Sequence, residues 1–161
     1  MSLANLMRRE DQRGRSVREM VGEIDSYDPA SHTAKVKFDT DLDNQGNPRI
    51  SGWLPMRTAA AGANGHMVFG PTPGDQVVVH YPESDQEGGV ISHFVHNDVH
   101  QPPKVESGEL NITAHGATVF IDKNSNVSIT TSGNITIKGA QIEITASSSF
   151  KINGNNVDIN Q

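Results

Sequence analysis

The sequence predicts an all-β protein, in which a small closed barrel is followed by a trimeric, intertwined β-helix. Apolar and polar residues alternate in short stretches between Met20 and His96, as they do in half-buried strands. After Gly108, pairs of apolar residues separated by one polar residue recur every 7 to 9 residues. All 8 prolines lie at or before Pro103, so we expect a boundary between two kinds of structure there.

The composition excludes several classes of protein. The 161 residues contain no cysteine, which excludes a disulfide framework and any thiolate metal site. The formal net charge of −6 argues against nucleic acid as a partner, because phosphate binding needs a concentrated Lys/Arg surface. No apolar run approaches the roughly 20 residues of a membrane helix, and the Arg-rich N-terminus does not resemble a signal peptide. We expect a soluble chain made in the cytoplasm.

The first predicted element is a docking helix over residues 1–18. Leu3, Leu6 and Met7 follow helical spacing and give this segment one apolar edge. The arginines that follow are interleaved with acidic residues, which is typical of a solvated face. An isolated helix of this length is marginally stable, so we interpret it as a segment that docks on a partner.

The second element is a barrel over residues 19–103. Five predicted strands bounded by Gly, Pro or Asp fit a small closed barrel of the OB type. The small residues 59–65 predict a loop. The predicted strands are residues 20–25, 34–38, 50–54, 75–81 and 89–96.

The third element, residues 104–161, predicts a triple-stranded β-helix. A repeat of about eight residues with two inward apolar side chains is too short for one chain to enclose a core, whereas three chains around a common axis form a triangular prism. Seven repeats at a strand spacing of about 4.8 Å predict a shaft of roughly 30–35 Å. The predicted shared trimer core is Leu110, Ile112, Val119, Ile121, Val127, Ile129, Ile135, Ile137, Ile142, Ile144, Phe150, Ile152, Val157 and Ile159.

No motif predicts catalysis, a cofactor or a metal. The sequence lacks a nucleophile elbow, a zinc-protease motif and a phosphate-binding loop, and the acidic residues of the repeat are too sparse for a glycosidase pair. Residues 39–46 resemble the start of a calcium loop. However, Asn44 stands where the loop needs Gly and Ile50 where it needs Glu, so we predict an exposed hairpin loop.

The histidines and aromatic residues are further candidate binding residues. His93 and His96 are three apart in a predicted strand and face opposite sides, so we expect scattered rim histidines, together with His80 and His100. An OB barrel that binds single strands needs stacked aromatics in a basic groove. The aromatic candidates lie mostly beside polar neighbours in acidic surroundings; they are Phe38, Trp53, Phe69, Tyr81 and Phe94.

Three segments together carry a resemblance to a known family. They are Gly52-Trp53-Leu54-Pro55, Pro73-Gly74-Asp75-Gln76-Val77-Val78-Val79 and Gly89-Val90-Ile91, followed by a Pro-containing linker and the repeat. In this order they resemble the baseplate assembly protein V family, the central spikes of contractile-tailed bacteriophages, which are related to the VgrG spikes of type VI secretion.

The resemblance implies a function. It implies a homotrimer at the virion baseplate that is assembled in the host cytoplasm, with the N-terminal helix and OB domain bound to a tail hub protein. The β-helix at the tail tip would then pierce the host outer membrane mechanically, without catalysis. An alternative is an OB-fold binding adaptor for nucleic acid or another baseplate protein.

The end of the spike departs from the family pattern. Many spikes of the family bind iron at the tip through an H-x-H motif, but this chain has no histidine after His115. We therefore expect no cofactor. Two alternatives stay open for the end of the spike: either a PAAR-type tip protein covers it and is a further partner, or the sequence ends before the apex.

Overall fold

The computed structural model describes residues 17–82 and 88–158, and every regular element within them is a β-strand. The all-β prediction is therefore confirmed for this part of the chain. None of the described residues belongs to a helix that is long and apolar enough to cross a membrane. The chain divides into two compact units, Met1–Pro102 and Pro103–Gln161.

The predicted docking helix, residues 1–18, lies almost wholly outside the described residues. Its last two residues, Val17 and Arg18, are described, and they belong to the first strand. The strand continues this far because Arg18 lies opposite Tyr81 in an antiparallel ladder, which supplies its backbone with partners. Val17 and Arg18 therefore belong to the barrel and not to the predicted helix.

The first unit contains eight strands in the described residues. They are β1 (Val17–Asp28), β2 (Thr33–Leu42), β3 (Pro48–Ile50), β4 (Leu54–Pro55), β5 (Ala60–Gly62), β6 (Gly65–Met67), β7 (Gln76–Pro82) and β8 (Val90–Phe94). Four of them, β1, β2, β7 and β8, build most of its sheet, and the others have two or three residues each.

Five of these strands close into a ring. β1 pairs antiparallel with β2 and β7, β7 pairs with β8, and β2 pairs with β4. The ring closes where Met56, just after β4, forms a parallel bridge with Ile91 of β8, and where Arg57 N donates to Ile91 O at 2.8 Å. The ring order β1-β2-β4-β8-β7 is the closed barrel expected of an OB fold.

The core of the barrel comes from alternate residues of these strands. In β2, Ala34, Val36 and Phe38 are buried while their neighbours are more exposed. Gly22 of β1 allows the strands to approach closely, since a Cβ atom there would lie 2.5 Å from Val36 Cγ1. The buried core cluster is Ile24, Ala34, Val36, Phe38, Leu54, Met56, Val77, Val79, Tyr81 and Ile91.

Two sequence predictions for the barrel are wrong in detail. Residues 59–65 do not form a loop throughout, because β5 and β6 pair as a short hairpin around Ala63 and Asn64. The predicted strand 50–54 is split between β3 and β4. At Ser51 the backbone N–H still donates to Val36 O at 2.9 Å, but the Ser51 hydroxyl accepts the Val36 N–H at 2.9 Å and donates to Gly52 O at 2.8 Å. The side chain thus takes the place of a backbone acceptor, and the ladder is interrupted there.

The second unit contains a three-stranded antiparallel sheet. Its strands are β9 (Leu110–Ala114), β10 (Ala117–Ile121) and β11 (Val127–Thr130), in the order β11-β10-β9. β9 and β10 are joined by the two-residue turn His115-Gly116, whose φ angles are 47° and 80°. Two left-handed residues in succession are the geometry that tight hairpins favour. Residues 131–158 form no strand.

Candidate interfaces

The first three apolar pairs of the repeat come together in register on the β9–β11 sheet. Ile112 lies opposite Val119, and Val119 lies opposite Ile129. In the next row, Ile121 lies between Leu110 and Val127 in the same way. Side chains that are directly opposite in an antiparallel ladder share a face, so these residues form one apolar surface, which we call the repeat face.

The repeat face is largely uncovered in the single chain. Ile112, Val127 and Ile129 are 56%, 64% and 62% exposed, and Val119 in the middle strand is only half-buried. A monomeric protein rarely exposes so regular an apolar surface, and such surfaces mark contacts with other molecules. The repeat face is therefore the strongest candidate interface in the second unit.

The opposite face of the same sheet is polar along most of its length. Thr118 lies opposite both Thr113 and Thr130, and the hydroxyls of Thr113 and Thr118 are 3.1 Å apart. Thr113 also donates to Asn111 Oδ1 at 2.6 Å. Phe120 is the exception on this face, and it is half-buried. The sheet thus has one mainly polar face and one apolar face, which is the repeat face.

The later apolar pairs are exposed as well, but the structure does not bring them together. They lie in residues 131–158, where no strand pairing orders them, and Ile159 falls outside the described residues. Their exposed fractions are similar to those on the repeat face, with Ile137 at 69% and Ile144 at 64%. The other exposed members are Ile135, Ile142, Phe150, Ile152 and Val157.

The segment that resembles the start of a calcium loop contains the hairpin turn between β2 and β3. Hydrogen bonds within this turn already engage the carboxylate of Asp43. Asp43 Oδ1 accepts the backbone N–H groups of Gln45 and Asn47 at 2.8 and 2.9 Å, and Gly46 takes φ 82°. These hydrogen bonds favour the charged carboxylate and lower the pKa of Asp43. The structure therefore uses Asp43 to fix the turn between β2 and β3.

The loop between β10 and β11 repeats this arrangement. Asp122 Oδ1 accepts the N–H groups of Asn124 and Asn126 at 2.8 and 2.9 Å, and Ser125 takes the left-handed position with φ 66°. The Asn126 side chain also donates to Asp122 Oδ2 at 2.7 Å, and it is the main cause of the lowered pKa of Asp122. The shared spacing Asp-x-x-Gly/Ser-Asn is a signal in the sequence that could have identified both loops.

The histidines of the barrel do not converge on one point. His80 Nε2 lies 3.0 Å from Glu19 Oε1, and the His80 and His93 rings are 6.2 Å apart. His96 Nδ1 contacts His100 O at 3.1 Å, and His100 Nδ1 lies 3.6 Å from Asp75 Oδ1. Within residues 17–82 and 88–158, no three His or acidic side chains are arranged to hold a metal ion.

The aromatic candidates are likewise separated. Phe38 and Tyr81 are core residues, with ring centroids 6.3 Å apart. Trp53 is half exposed and carries Lys35 Nζ 5.0 Å from its ring centroid. Phe69 and Phe94 form an exposed edge-to-face pair 5.4 Å apart, beside a depression of about 180 Å³. These positions do not form the continuous row of stacking rings that a single nucleic-acid strand would need.

Comparison with protein families identifies the barrel. Residues 20–96 match the model of the type VI secretion system/phage-baseplate injector OB domain. The chain carries an injector OB domain. The resemblance found in the sequence is thereby confirmed for this domain, and the match supports a baseplate-related role. The comparison with curated proteins found no match to the chain.

The segments that carried the resemblance shape the injector OB domain. Gly74 takes φ 95°, and its N–H donates to Ile24 O at 2.8 Å. Asp75 returns the contact, because its carbonyl accepts the Ile24 N–H at 2.9 Å and its carboxylate accepts the Thr72 N–H at 2.8 Å. Gly89 lies against the Tyr81 ring, where a Cβ atom would approach to 2.5 Å. Gly74 and Asp75 thus secure the start of β7 to the middle of β1.

Proposed function

We propose that the protein is the membrane-piercing central spike of a contractile phage tail or a related secretion apparatus, acting as a homotrimer. The single observation that supports this most is the repeat face, an in-register apolar surface left uncovered in one chain. A second copy and a third copy of the same face would cover it in a closed, three-fold arrangement.

The proposed action is mechanical and not catalytic. Three amphipathic sheets that pack with their apolar faces inward give a narrow prism with a dry aliphatic interior and a polar exterior. Unfolding one chain would break its contacts with both neighbours, so the shaft resists force along its axis. Such a shaft needs no cofactor, and none enters this proposal.

The proposed partners follow from the two units. The injector OB domain, with the N-terminal residues before it, would bind the tail hub, and the exposed apolar residues of the barrel are available for that contact. Phe69, Phe94 and Val95 form one such group on the described surface. A PAAR-type protein would cover the far end of the spike, and the host outer membrane would be its target.

The test uses particles in which this chain, or a variant of it, supplies the spike. Ile112→Asp places a carboxylate on the repeat face, whereas the control Thr113→Asp places one on the polar face of the same strand. We expect sheath contraction in all particles, but leakage of outer-membrane vesicles only with the wild-type chain and the control. Full leakage with Ile112→Asp would contradict the proposal.

A further inference from the structure

The two longest strands of the barrel pair with each other over only part of their length. β1 and β2 pair as far as Glu23 and Lys37, and no further pair between them follows in the described residues. β1 nevertheless continues along β7 to Val17. A groove of about 490 Å³ lies where β1 and β2 separate, and we call it the fork. The fork is lined by Arg18, Glu19, Met20, Val21, Gly22, Glu23, Asp39, Thr40 and Gln76.

The backbone of β1 directs hydrogen-bonding groups into the fork. In an antiparallel strand, successive residues turn their N–H and C=O groups to opposite sides. Ile24 turns both groups towards β7, because its N–H donates to Asp75 O at 2.9 Å and its carbonyl accepts the Gly74 N–H at 2.8 Å. The β1–β7 ladder has no register shift. Glu19 and Val21, an odd number of residues away, therefore turn their N–H and C=O groups away from β7 and into the fork.

This stretch of β1 is an open strand edge. Its N–H and C=O groups on the fork side have no strand partner among residues 17–82 and 88–158. An edge of this kind is a ready template for pairing with a further strand. The six residues from Arg18 to Glu23 span roughly 20 Å at about 3.3 Å per residue, which matches an extended segment of five to seven residues.

The side chains of the open edge indicate what such a segment would contain. Glu19, Val21 and Glu23 lie on one face of β1, because side chains alternate along a strand. Val21 is 52% exposed although it lies within the barrel's longest strand. Residues that lie directly opposite in a sheet are favoured when their charges are opposite or when both are apolar. The complementary strand would therefore place basic residues opposite the two glutamates and an aliphatic residue opposite Val21.

The charge around the fork favours the same segment. Asp39 of β2 adds a third carboxylate to the lining. Lys37 lies 3.7 Å from a Glu23 oxygen and 3.4 Å from an Asp39 oxygen, so one ammonium group is shared between two carboxylates. A basic side chain from a further strand would supply the missing positive charge.

We propose that the fork binds an extended segment of a partner protein by strand addition to β1, and that this segment has a basic residue, an aliphatic residue two positions later and a basic residue two positions after that. A partner protein is favoured over a second copy because this chain does not contain the pattern. The two basic residues of the chain that stand four apart are Arg9 and Arg13, and Asp11 lies midway between them.

A synthetic peptide tests the proposal on the full chain. The probe is the heptapeptide Thr-Lys-Thr-Val-Thr-Lys-Thr with both ends blocked, and the control peptide has Glu in place of both Lys. Hydrogen exchange of single amides is followed by NMR. We expect the lysine peptide to slow exchange at Glu19 and Val21 and to leave Met20 and Gly22, whose amides face β7, unchanged. Binding without protection of the Glu19 and Val21 amides would overturn the proposal.

Charge reversal provides a second readout. Glu19→Lys should weaken binding of the lysine peptide about threefold to tenfold, and a peptide with Glu in place of one Lys should recover part of the loss. The matched control is Asp25→Lys, an exposed carboxylate of the same strand in the half that β2 already flanks. It should leave the affinity nearly unchanged. Equal losses in Glu19→Lys and Asp25→Lys would contradict strand addition at the fork.

Two other occupants of the fork would be recognised in the same exchange experiment without peptide. Protection of the Glu19 and Val21 amides that increases with protein concentration would assign the fork to a second copy. Protection that is lost when residues 1–16 are removed would assign it to the chain's own N-terminal segment. Either result would overturn the proposed partner. The fork lies within the barrel, so both results would leave the spike proposal, which depends on the repeat face, intact.

Discussion

Ile112 of β9 and Val119 of β10 are direct cross-strand partners on an apolar face that the chain itself leaves open. Ile112 is 56% exposed although it sits in a regular sheet. The strands of this sheet therefore pair within one chain, but nothing in the described part of that chain packs on their apolar face. A small sheet normally needs such packing to be stable. This mismatch is the basis of the assembly proposed for the second unit.

The first prediction concerns Ile137, an exposed member of the later repeats. Ile137→Asp would place three carboxylates near one axis of the trimer, where each isolated buried charge costs several kcal/mol. We expect loss of the trimer in sedimentation analysis. The matched control is Thr136→Asp, at the outward position next to it, which should remain trimeric. A stable trimer with Ile137→Asp would refute the core assignment.

The second prediction concerns Gly22, where β1 approaches β2 closely. A Cβ atom would lie 2.5 Å from Val36 Cγ1 and 2.7 Å from the Lys37 carbonyl oxygen, so Gly22→Ala must push the strands apart. We expect a loss of roughly 1–3 kcal/mol in the free energy of unfolding of the injector OB domain, measured by urea denaturation. Gly52→Ala, where no atom lies within 4 Å, is the control and should change it little.

The third prediction exchanges residues between the two Asp-centred loops. Ser125 holds φ 66° where Gly46 holds φ 82° in the equivalent loop. A residue with a Cβ atom loses about 1–2 kcal/mol in this conformation, so Ser125→Gly should stabilise the second unit and Gly46→Ser should destabilise the first. Chemical denaturation of each variant measures both effects. Changes of the same sign in the two variants would argue against equivalent loops.

The fourth prediction is a pH dependence that arises from Asp43. Backbone hydrogen bonds from Asn47 and Gln45 lower its pKa in the folded state. A lowered folded pKa gives stability that is present above the unfolded value of about 3.9 and is lost as the pH falls through the folded pKa. Asp43→Ala should therefore be less stable than wild type at neutral pH.

The gap in unfolding free energy between wild type and Asp43→Ala should narrow as the pH falls below about 3.9. Urea denaturation at neutral and at acidic pH measures it. Asp39→Ala serves as a control in the same region, since Asp39 is exposed and forms an ion pair with Lys37 at 3.4 Å in place of turn hydrogen bonds. A gap of equal size at both pH values would contradict the assigned role of Asp43.

The long strands of the barrel could be predicted from the sequence because their apolar residues alternate strictly, as Ala34, Val36 and Phe38 do in β2. The β5–β6 hairpin could not, since Ala60 and Ala61 carry no such alternation. The break between β3 and β4 at Ser51 could not be predicted either, because it depends on a hydrogen bond with Val36, which is remote in the sequence.

The candidate interface was predicted in part. The apolar pairs were visible from their spacing, but their antiparallel pairing inside one chain was not. The pairing of β9 with β10 depends on the tight turn at His115 and Gly116, whose two positive φ angles reverse the chain, and the pairing of β10 with β11 depends on the loop centred on Asp122. A two-residue turn ending in Gly between two apolar pairs is a hairpin signal that the period of the repeat concealed.

The mass of the protein in solution tests the central claim most directly. Sedimentation equilibrium of the full chain should give about three times 17.4 kDa. The same chain ending before Gly108, which retains the barrel and its core cluster, should give a weaker assembly or a monomer. A full chain that sediments as a monomer over a wide range of concentration would contradict the account.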